Sequence, residues 1–235
     1  MNLFIKRDIE GDVANNLQKN NFSQIILDLE NNNLQEKFFG FLVKQVPNNA
    51  HFRQHYGRLI IYNNPGKLEL AKEQFDKAIE LDPTNPLHYH ARGNMYTKYV
   101  MNLCRSNYKD IGCQELFDKI KLIVEIAISD YEICIKLIND AKDLTIDISY
   151  PYASIIQTIT YVVHQLFLYH DMKGEEKQFL LLNNNISIWC RDLIQKAEQY
   201  DMNTENRYDS VRDNDVYRNV RKYLVKYKST HLEIS

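Results

Sequence analysis

A set of residues recurs after 36 positions in the first half of the chain, and this repeat constrains the fold more than any other feature. The matched pairs are Phe39 with Phe75, Val43 with Ile79, Pro47 with Pro83, Asn49 with Asn85, and Gly57 with Gly93. This spacing is close to the period of about 34 residues in helix–turn–helix repeats, and the turn-forming residues 63–67 accommodate a short insertion. The repeat therefore predicts pairs of stacked helices over residues 47–96.

The composition also favours a chain of long helices. Only 7 Gly and 5 Pro occur among 235 residues, too few for a turn-rich β-protein. Helices are predicted over residues 22–30, 34–46, 50–62, 68–81 and 86–103. The net charge of −2 gives no bulk electrostatic reason to expect a nucleic-acid or membrane partner.

The best-preserved stretch resembles the tetratricopeptide repeat family over about 50 residues. The matching residues are Gly57, Ala71, Phe75, Ala78 and Pro83, with Gly93 and Tyr96 in the next unit. Tyr89 occupies the place of the family's usual tryptophan. The resemblance implies an all-α fold, an α-solenoid of antiparallel helix pairs. The pattern also has its own physical reason, because small residues let two helices approach closely and Phe75 fills the groove between them.

The repeat becomes irregular after Leu103. Ala127-x3-Tyr131-x2-Cys134 has the spacing of the second helix, but Ala127 comes 22 residues later than the period predicts. The intervening residues 104–122 are expected to end in a long central helix, with one narrow polar stripe on an otherwise apolar cylinder. The stripe consists of Lys121, Glu125, Ser129, Glu132 and Lys136.

The whole chain is predicted to be a single helical-repeat domain, 1–235. Its parts are eroded helices in residues 1–46, a clear core in 47–103, divergent helix pairs in 104–201, and a capping helix in 202–235. Residues 183–185, all asparagine, are expected to interrupt a helix. The beginning of the chain is interpreted as a segment of a larger protein and not as a signal peptide.

The resemblance implies that a protein or peptide partner lies along the groove lined by the first helices. The residues placed on this groove are His51, Gln54, Arg58, Tyr62, His90, Asn94, Lys98 and Tyr161. Arg58, Asn94 and Lys98 are the expected polar anchors, whereas Tyr62 and Tyr161 are the aromatic ones. This mixture suits an extended or acidic peptide. The family's clamp for a C-terminal carboxylate is not predicted, because only Asn94 fits it. Alternatively, this face packs against other domains of a larger parent chain.

A second hypothesis places RNA or phosphate on the basic C-terminal helix. The patch is Arg218, Arg221, Lys222 and Lys226, interleaved with tyrosines. Neighbouring aspartates offset its charge, and cations toward a helix C-terminus also suit the helix dipole. Protein binding is therefore favoured over nucleic-acid binding.

A third hypothesis comes from a weaker resemblance. The segments around residues 47–58 and 82–93 look like the C-terminal helical sensor regions of STAND-type ATPases, including antiviral ones. This resemblance implies a ligand-sensing region whose ATPase lies elsewhere in a longer protein.

No motif indicates catalysis, a cofactor or a metal, so a non-enzymatic protein is predicted. Gly66-Lys67 lacks the upstream glycine of a phosphate loop. His51 and His55 share a helical face without a third ligand, which predicts packed or solvated histidines. The four cysteines form no C-x-x-C pair and are predicted to be reduced core residues in the cytoplasm. Residues 152–169 contain no Asp, Glu, Lys or Arg, but their polar residues predict a buried helix and no membrane span.

Overall fold

The computed structural model describes residues 26–29, 31–107, 110, 113–141, 149–172, 184–205 and 225. Within these residues the chain forms seven helices of at least 14 residues and no strand, which confirms the predicted all-α class. The helices are α1 (Asn32–Gln45), α2 (Ala50–Asn63), α3 (Leu68–Leu81), α4 (Pro86–Ser106), α5 (Gln114–Ala141), α6 (Ser149–Met172) and α7 (Asn185–Glu205). Between Thr84 and Asn85 the chain divides into two compact units, the first with α1 to α3 and the second with α4 to α7.

Asparagine side chains begin several helices and account for part of the sequence repeat. Asn49 Oδ1 accepts a hydrogen bond from the backbone N–H of Phe52 at 3.0 Å, before α2. Asn85 Oδ1 accepts one from Leu87 at 3.0 Å, before α4, and Asn31 caps α1 in the same way. Such a cap satisfies one of the N–H groups that the first helical turn leaves without a partner. Positions 49 and 85 therefore match because each one begins a helix.

The repeated glycines make room for an aromatic ring from the next helix. A Cβ atom at Gly57 would lie 2.9 Å from Cε2 of Phe75, and one at Gly93 would lie 2.7 Å from Cε1 of Tyr131. Both distances are shorter than carbon atoms tolerate, so a larger residue would displace a buried ring. Tyr131 thus occupies against Gly93 the place that Phe75 occupies against Gly57.

The first unit has an apolar core to which α1, α2 and α3 all contribute. Its fully or almost fully buried residues include Phe39, Leu42, Phe52, Leu59, Ile60, Ala71 and Phe75. Burying a large apolar side chain stabilises the fold by about 1.5 to 3 kcal/mol. Arg53 adds polar links, since Nε donates to the Pro47 carbonyl oxygen at 2.7 Å and Nη1 donates to Gln74 Oε1 at 2.8 Å. These bonds connect α2 to the preceding turn and to α3.

The second unit is organised around α5, which packs against α4 and α6. Eleven of the 28 residues of α5 are buried, including Ala127, Tyr131 and Cys134 from the predicted repeat spacing. The five residues of the predicted polar stripe all retain solvent contact. The accessible side of α5 is wider than this stripe, because Leu122 beside it is 58% exposed.

Helical structure extends into both ends of the predicted insertion at residues 104–122. α4 continues to Ser106, beyond its predicted end at Leu103, because no glycine or proline stops it there. α5 already begins at Gln114. Of the asparagines expected to interrupt a helix, Asn183 lies outside the described residues. Asn184 comes directly before α7, which begins at Asn185, and its Oδ1 accepts a hydrogen bond from Ser187 N at 2.7 Å.

Two helices predicted near the ends of the chain lie largely outside the described residues. Of the first, residues 22–30, only 26–29 are described, and Ile26 and Leu27 are helical. Of the predicted capping helix, residues 202–235, the structure describes only residues 202–205, which are the end of α7, and Val225, which is helical.

α6 contains the long stretch without Asp, Glu, Lys or Arg. Thr158 Oγ1 donates to the Ser154 carbonyl oxygen at 2.7 Å, and Thr160 Oγ1 donates to that of Ile156 at 2.8 Å. Threonines in a helix can satisfy their hydroxyls in this way when they are buried. Among the described helices, none is long and apolar enough to cross a membrane.

Candidate functional site

α2 carries the predicted binding residues of the first unit along one face. His51, Gln54, Arg58 and Tyr62 follow one another at steps of three or four positions, which brings them into line on a helix. Arg58 and Tyr62 are exposed, and Tyr62 retains 58% of its surface. His51 and Gln54 are half-buried. The accessible part of this face is therefore the end that bears Arg58 and Tyr62.

The histidines of α2 lie against other rings. His51 meets His55 edge-on with ring centres 4.4 Å apart, and His55 stacks on Phe39 at 5.1 Å. These ring contacts indicate that both histidines have a packing role. In the part of the chain that the structure describes, no group of three or more His, Cys, Asp or Glu is placed to hold a metal ion.

In the second unit, a buried chain of hydroxyl groups joins three helices. The hydroxyl of Tyr131, on α5, is fully buried and donates to Asn94 Oδ1 on α4 at 2.9 Å. Thr97 Oγ1 lies 2.8 Å from the Tyr131 hydroxyl and 2.7 Å from Thr158 Oγ1 on α6. Buried polar groups are favourable only when they are bonded, so this chain favours one register of α4, α5 and α6 over others.

His90 extends the same chain toward α6. Its Nε2 lies 3.1 Å from Ser154 Oγ, and its ring centre lies 5.6 Å from that of Tyr131. Burial lowers the pKa of His90 to about 4, because desolvation disfavours the charged imidazolium. A serine beside a histidine can be the start of a nucleophilic site, but a base with so low a pKa is a weak proton acceptor. The geometry therefore gives His90 a packing and hydrogen-bonding role.

Because the pKa of His90 is lowered in the folded protein, we expect the stability of the second unit to depend on pH. The unfolded histidine has a pKa of about 6.5, so as the pH falls the unfolded state takes up a proton before the folded state does. The free energy of unfolding should fall by about 1.5 to 2 kcal/mol from pH 7 to pH 5 through this residue. Urea unfolding at several pH values measures this change.

His90→Gln is the control for this measurement, since glutamine keeps a hydrogen-bonding group but does not titrate. The other ionisable groups are the same in both proteins, so the difference between the two pH profiles isolates His90. Identical slopes for the two proteins would show that His90 is not desolvated as described.

α4 and α6 also present an accessible face formed by Asn94, Lys98, Arg105 and Tyr161, which we call the α4–α6 face. Asn94 and Arg105 are exposed, whereas Lys98 and Tyr161 are half-buried. Burial lowers the pKa of Lys98 and raises that of Tyr161. Arg105 Nε donates to the Tyr161 hydroxyl at 3.0 Å, and the guanidinium carbon lies 5.7 Å from the centre of the tyrosine ring.

The structure thus brings Asn94, Lys98 and Tyr161 of the sequence prediction onto one face, and places His90 at its edge. The prediction missed Arg105, Thr97 and Tyr131. A signal existed for Arg105, because it follows Lys98 by seven positions and so returns to the same side of the helix. No local signal existed for the contacts of Thr97 with Tyr131 and Thr158, which lie 34 and 61 residues away.

Three of the four cysteines, Cys104, Cys134 and Cys190, are buried as core residues, and all four are free thiols. Cys113 is exposed, so the prediction of a core position is wrong for this residue. Burial raises the pKa of Cys104 and of Cys134 to about 12 and also raises that of Cys190, so these thiols stay protonated. A protonated thiol is a poor nucleophile.

The basic patch at Arg218, Arg221, Lys222 and Lys226 lies outside the described residues. No protein-family model matches the chain, and a search of curated proteins gives no significant match.

Proposed function

We propose that the chain is a helical-repeat module, an α-solenoid of antiparallel helix pairs similar to tetratricopeptide repeats. Three helices support this proposal because each carries a buried triplet with the same spacing. The triplets are Ala71, Phe75 and Ala78 in α3, Ala127, Tyr131 and Cys134 in α5, and Cys190, Ile194 and Ala197 in α7. Repetition of one packing device at equal spacing is what a stack of similar helix pairs requires.

The module binds a protein or peptide partner and performs no catalysis. The observation that carries this proposal is the exposed pair Arg58 and Tyr62 on α2, a helix whose other sides pack into the core. Tyrosine and arginine are enriched among residues that dominate binding energy at protein interfaces. The protonated thiols and the weakly basic His90 support the non-catalytic part of the proposal.

A photo-cross-linking amino acid at position 62 of the full-length protein tests this function in its native cells. A covalent adduct with a defined protein is expected, and Arg58→Ala should reduce its yield several-fold. The matched control is the same cross-linker at position 122, because Leu122 is also 58% exposed but lies on α5. Equal yields at both positions, or no adduct at either, would overturn the assignment of this face.

A further inference from the structure

The accessible side of α5 carries a row of residues that we call the α5 seam. Its apolar members all retain solvent contact, since Leu122 is 58% exposed and the other three are half-buried. An exposed charged residue stands at each end of the row. A helix turns by about 100° per residue, so the row occupies only about 60° of the circumference of α5. The members of the α5 seam are Lys119, Leu122, Ile126, Ile133, Leu137 and Asp140.

The spacing of the α5 seam is the same from either end. Its successive steps are 3, 4, 7, 4 and 3 residues, and its midpoint lies between Ser129 and Asp130. When two copies of the helix lie antiparallel on a common midpoint, each seam residue therefore meets a seam residue of the second copy. A two-fold axis relates the copies in such an interface, so every contact occurs twice.

The apolar residues of the α5 seam match one another under this alignment. Leu122 meets Leu137 of the second copy, and Ile126 meets Ile133 of the second copy. Ser129, next to the midpoint, is exposed and small, so the two helices can approach closely where they cross. The most exposed apolar side chain of α5, that of Leu122, is then removed from water in both copies.

The charged residues favour an antiparallel pair over a parallel one. Lys119 meets Asp140 of the second copy in the antiparallel alignment, whereas a parallel alignment would bring like charges together. Beside the seam, the exposed Glu125 lies within two residues of facing Lys136 of the second copy. Within the described part of the chain, none of these four side chains forms an ion pair, and Lys119 Nζ lies over the ring of Tyr99, 5.7 Å from its centre.

We propose that two copies of the chain associate through the α5 seam as an antiparallel dimer with two-fold symmetry. The seam spans about 32 Å, because each helical residue advances about 1.5 Å. One pair of helices of this length makes a small interface, so the dissociation constant is expected to be about 10 to 100 μM. This surface lies on α5 and is separate from the partner-binding residues proposed on α2.

Sedimentation velocity of the full chain between about 2 and 500 μM tests the dimer, whose population follows mass action. The average mass should rise with concentration from that of one chain toward that of two. Leu122→Asp should raise the dissociation constant at least about 100-fold, because it places two carboxylates in the apolar seam. Leu87→Asp is the matched control and should leave association unchanged, since Leu87 is 45% exposed but lies on α4.

Exchanging the charges at the ends of the seam tests the antiparallel alignment. Lys119→Asp alone should weaken the dimer about fivefold at low salt, because it faces the like charge of Asp140 of the second copy. The double variant Lys119→Asp with Asp140→Lys restores opposite charges and should return to within about twofold of the original dissociation constant. Both positions are exposed, so the fold should tolerate these changes. A double variant as weak as Lys119→Asp would overturn the alignment.

A photo-cross-linker at position 122 of the purified chain identifies what covers the α5 seam. It should attach near Leu137 of a second copy, because Leu137 of the same copy lies about 22 Å away along the helix. Attachment elsewhere in the same copy would overturn the proposal, as would a chain that stays monomeric or a dimer that Leu122→Asp does not weaken. The self-adduct has twice the mass of the chain, so only adducts with other proteins count in the comparison with position 62. The proposed function of Arg58 and Tyr62 is therefore decided separately.

Discussion

Replacing Asp130 with alanine is expected to lower the free energy of unfolding of the second unit by about 3 to 4 kcal/mol. The substitution removes the carboxylate that receives two hydrogen bonds from the Arg92 guanidinium. Arg92 then keeps its charge in a site where its side chain is 20% exposed, so water replaces the lost partner only in part. Unfolding in guanidinium chloride, followed by the fluorescence of Trp189 in α7, measures the change because this is the chain's single tryptophan.

Lys196→Ala provides the matched control for an ion pair. The Lys196–Glu132 pair has a separation of 2.8 Å, close to that of Arg92 and Asp130, but its side chains are 39% and 43% exposed. Its loss should cost less than about 1 kcal/mol. The double variant Arg92→Leu with Asp130→Leu removes both charges and should be more stable than Asp130→Ala alone. If Asp130→Ala is as stable as Lys196→Ala, burial does not make the stability of the second unit more dependent on the Arg92–Asp130 pair.

Tyr131→Ala is expected to destabilise the second unit by about 3 to 5 kcal/mol. The ring is fully buried and lies against Gly93. Alanine leaves a cavity in its place, and Gly93 has no side chain that could move in to fill it. The substitution also removes the hydroxyl that connects Asn94 and Thr97. Guanidinium chloride unfolding with Trp189 fluorescence is again the measurement.

Two further variants divide this effect into its parts. Tyr131→Phe keeps the ring and removes only the hydroxyl, so a loss of about 1 to 2 kcal/mol is expected. Tyr150→Ala removes a tyrosine that is 56% exposed and should change stability by less than about 0.5 kcal/mol. Tyr131→Ala and Tyr131→Phe of equal stability would contradict the cavity argument.

The sequence predicts the helices best where local signals mark their ends. α3 begins and ends at the predicted residues, and α2 extends one residue beyond its prediction. Asn49 and Asn85 supply caps, and the turn around Pro65 and Gly66 separates α2 from α3. The end of α4 was predicted less well, because no glycine or proline stops the helix before Ser106.

The packing partners of the irregular second unit were predicted only where the repeat spacing persists. The spacing of Ala127, Tyr131 and Cys134 indicated a helix contact, and all three residues are buried. The hydroxyl chain and the Arg92–Asp130 pair join residues that are far apart in sequence and share no periodic pattern. Such contacts depend on how neighbouring helices align, which propensity and spacing do not determine.

The residues of the candidate site were likewise predicted within single helices but not across them. Among the residues predicted on the groove, Arg58, Tyr62 and Asn94 are exposed. The other five are half-buried: His51, Gln54, His90, Lys98 and Tyr161. The sequence does not predict that His90 bonds to Ser154, because Ser154 lies 64 positions away on another helix. The interpretation as a STAND-type sensor region and the assignment to the cytoplasm remain predictions.

The cysteines give the second unit a built-in chemical reporter. All four follow residue 85, so residues 1–84 contribute no thiol to any labelling reaction. A thiol reagent added to the native protein would reach Cys113 at once, but would reach Cys104, Cys134 and Cys190 only when the surrounding helices separate. The slow labelling rates at these three positions would therefore record how often α4, α5 and α7 open locally, each at its own sulfur atom. Natural side chains thus allow local opening to be followed without introducing a probe.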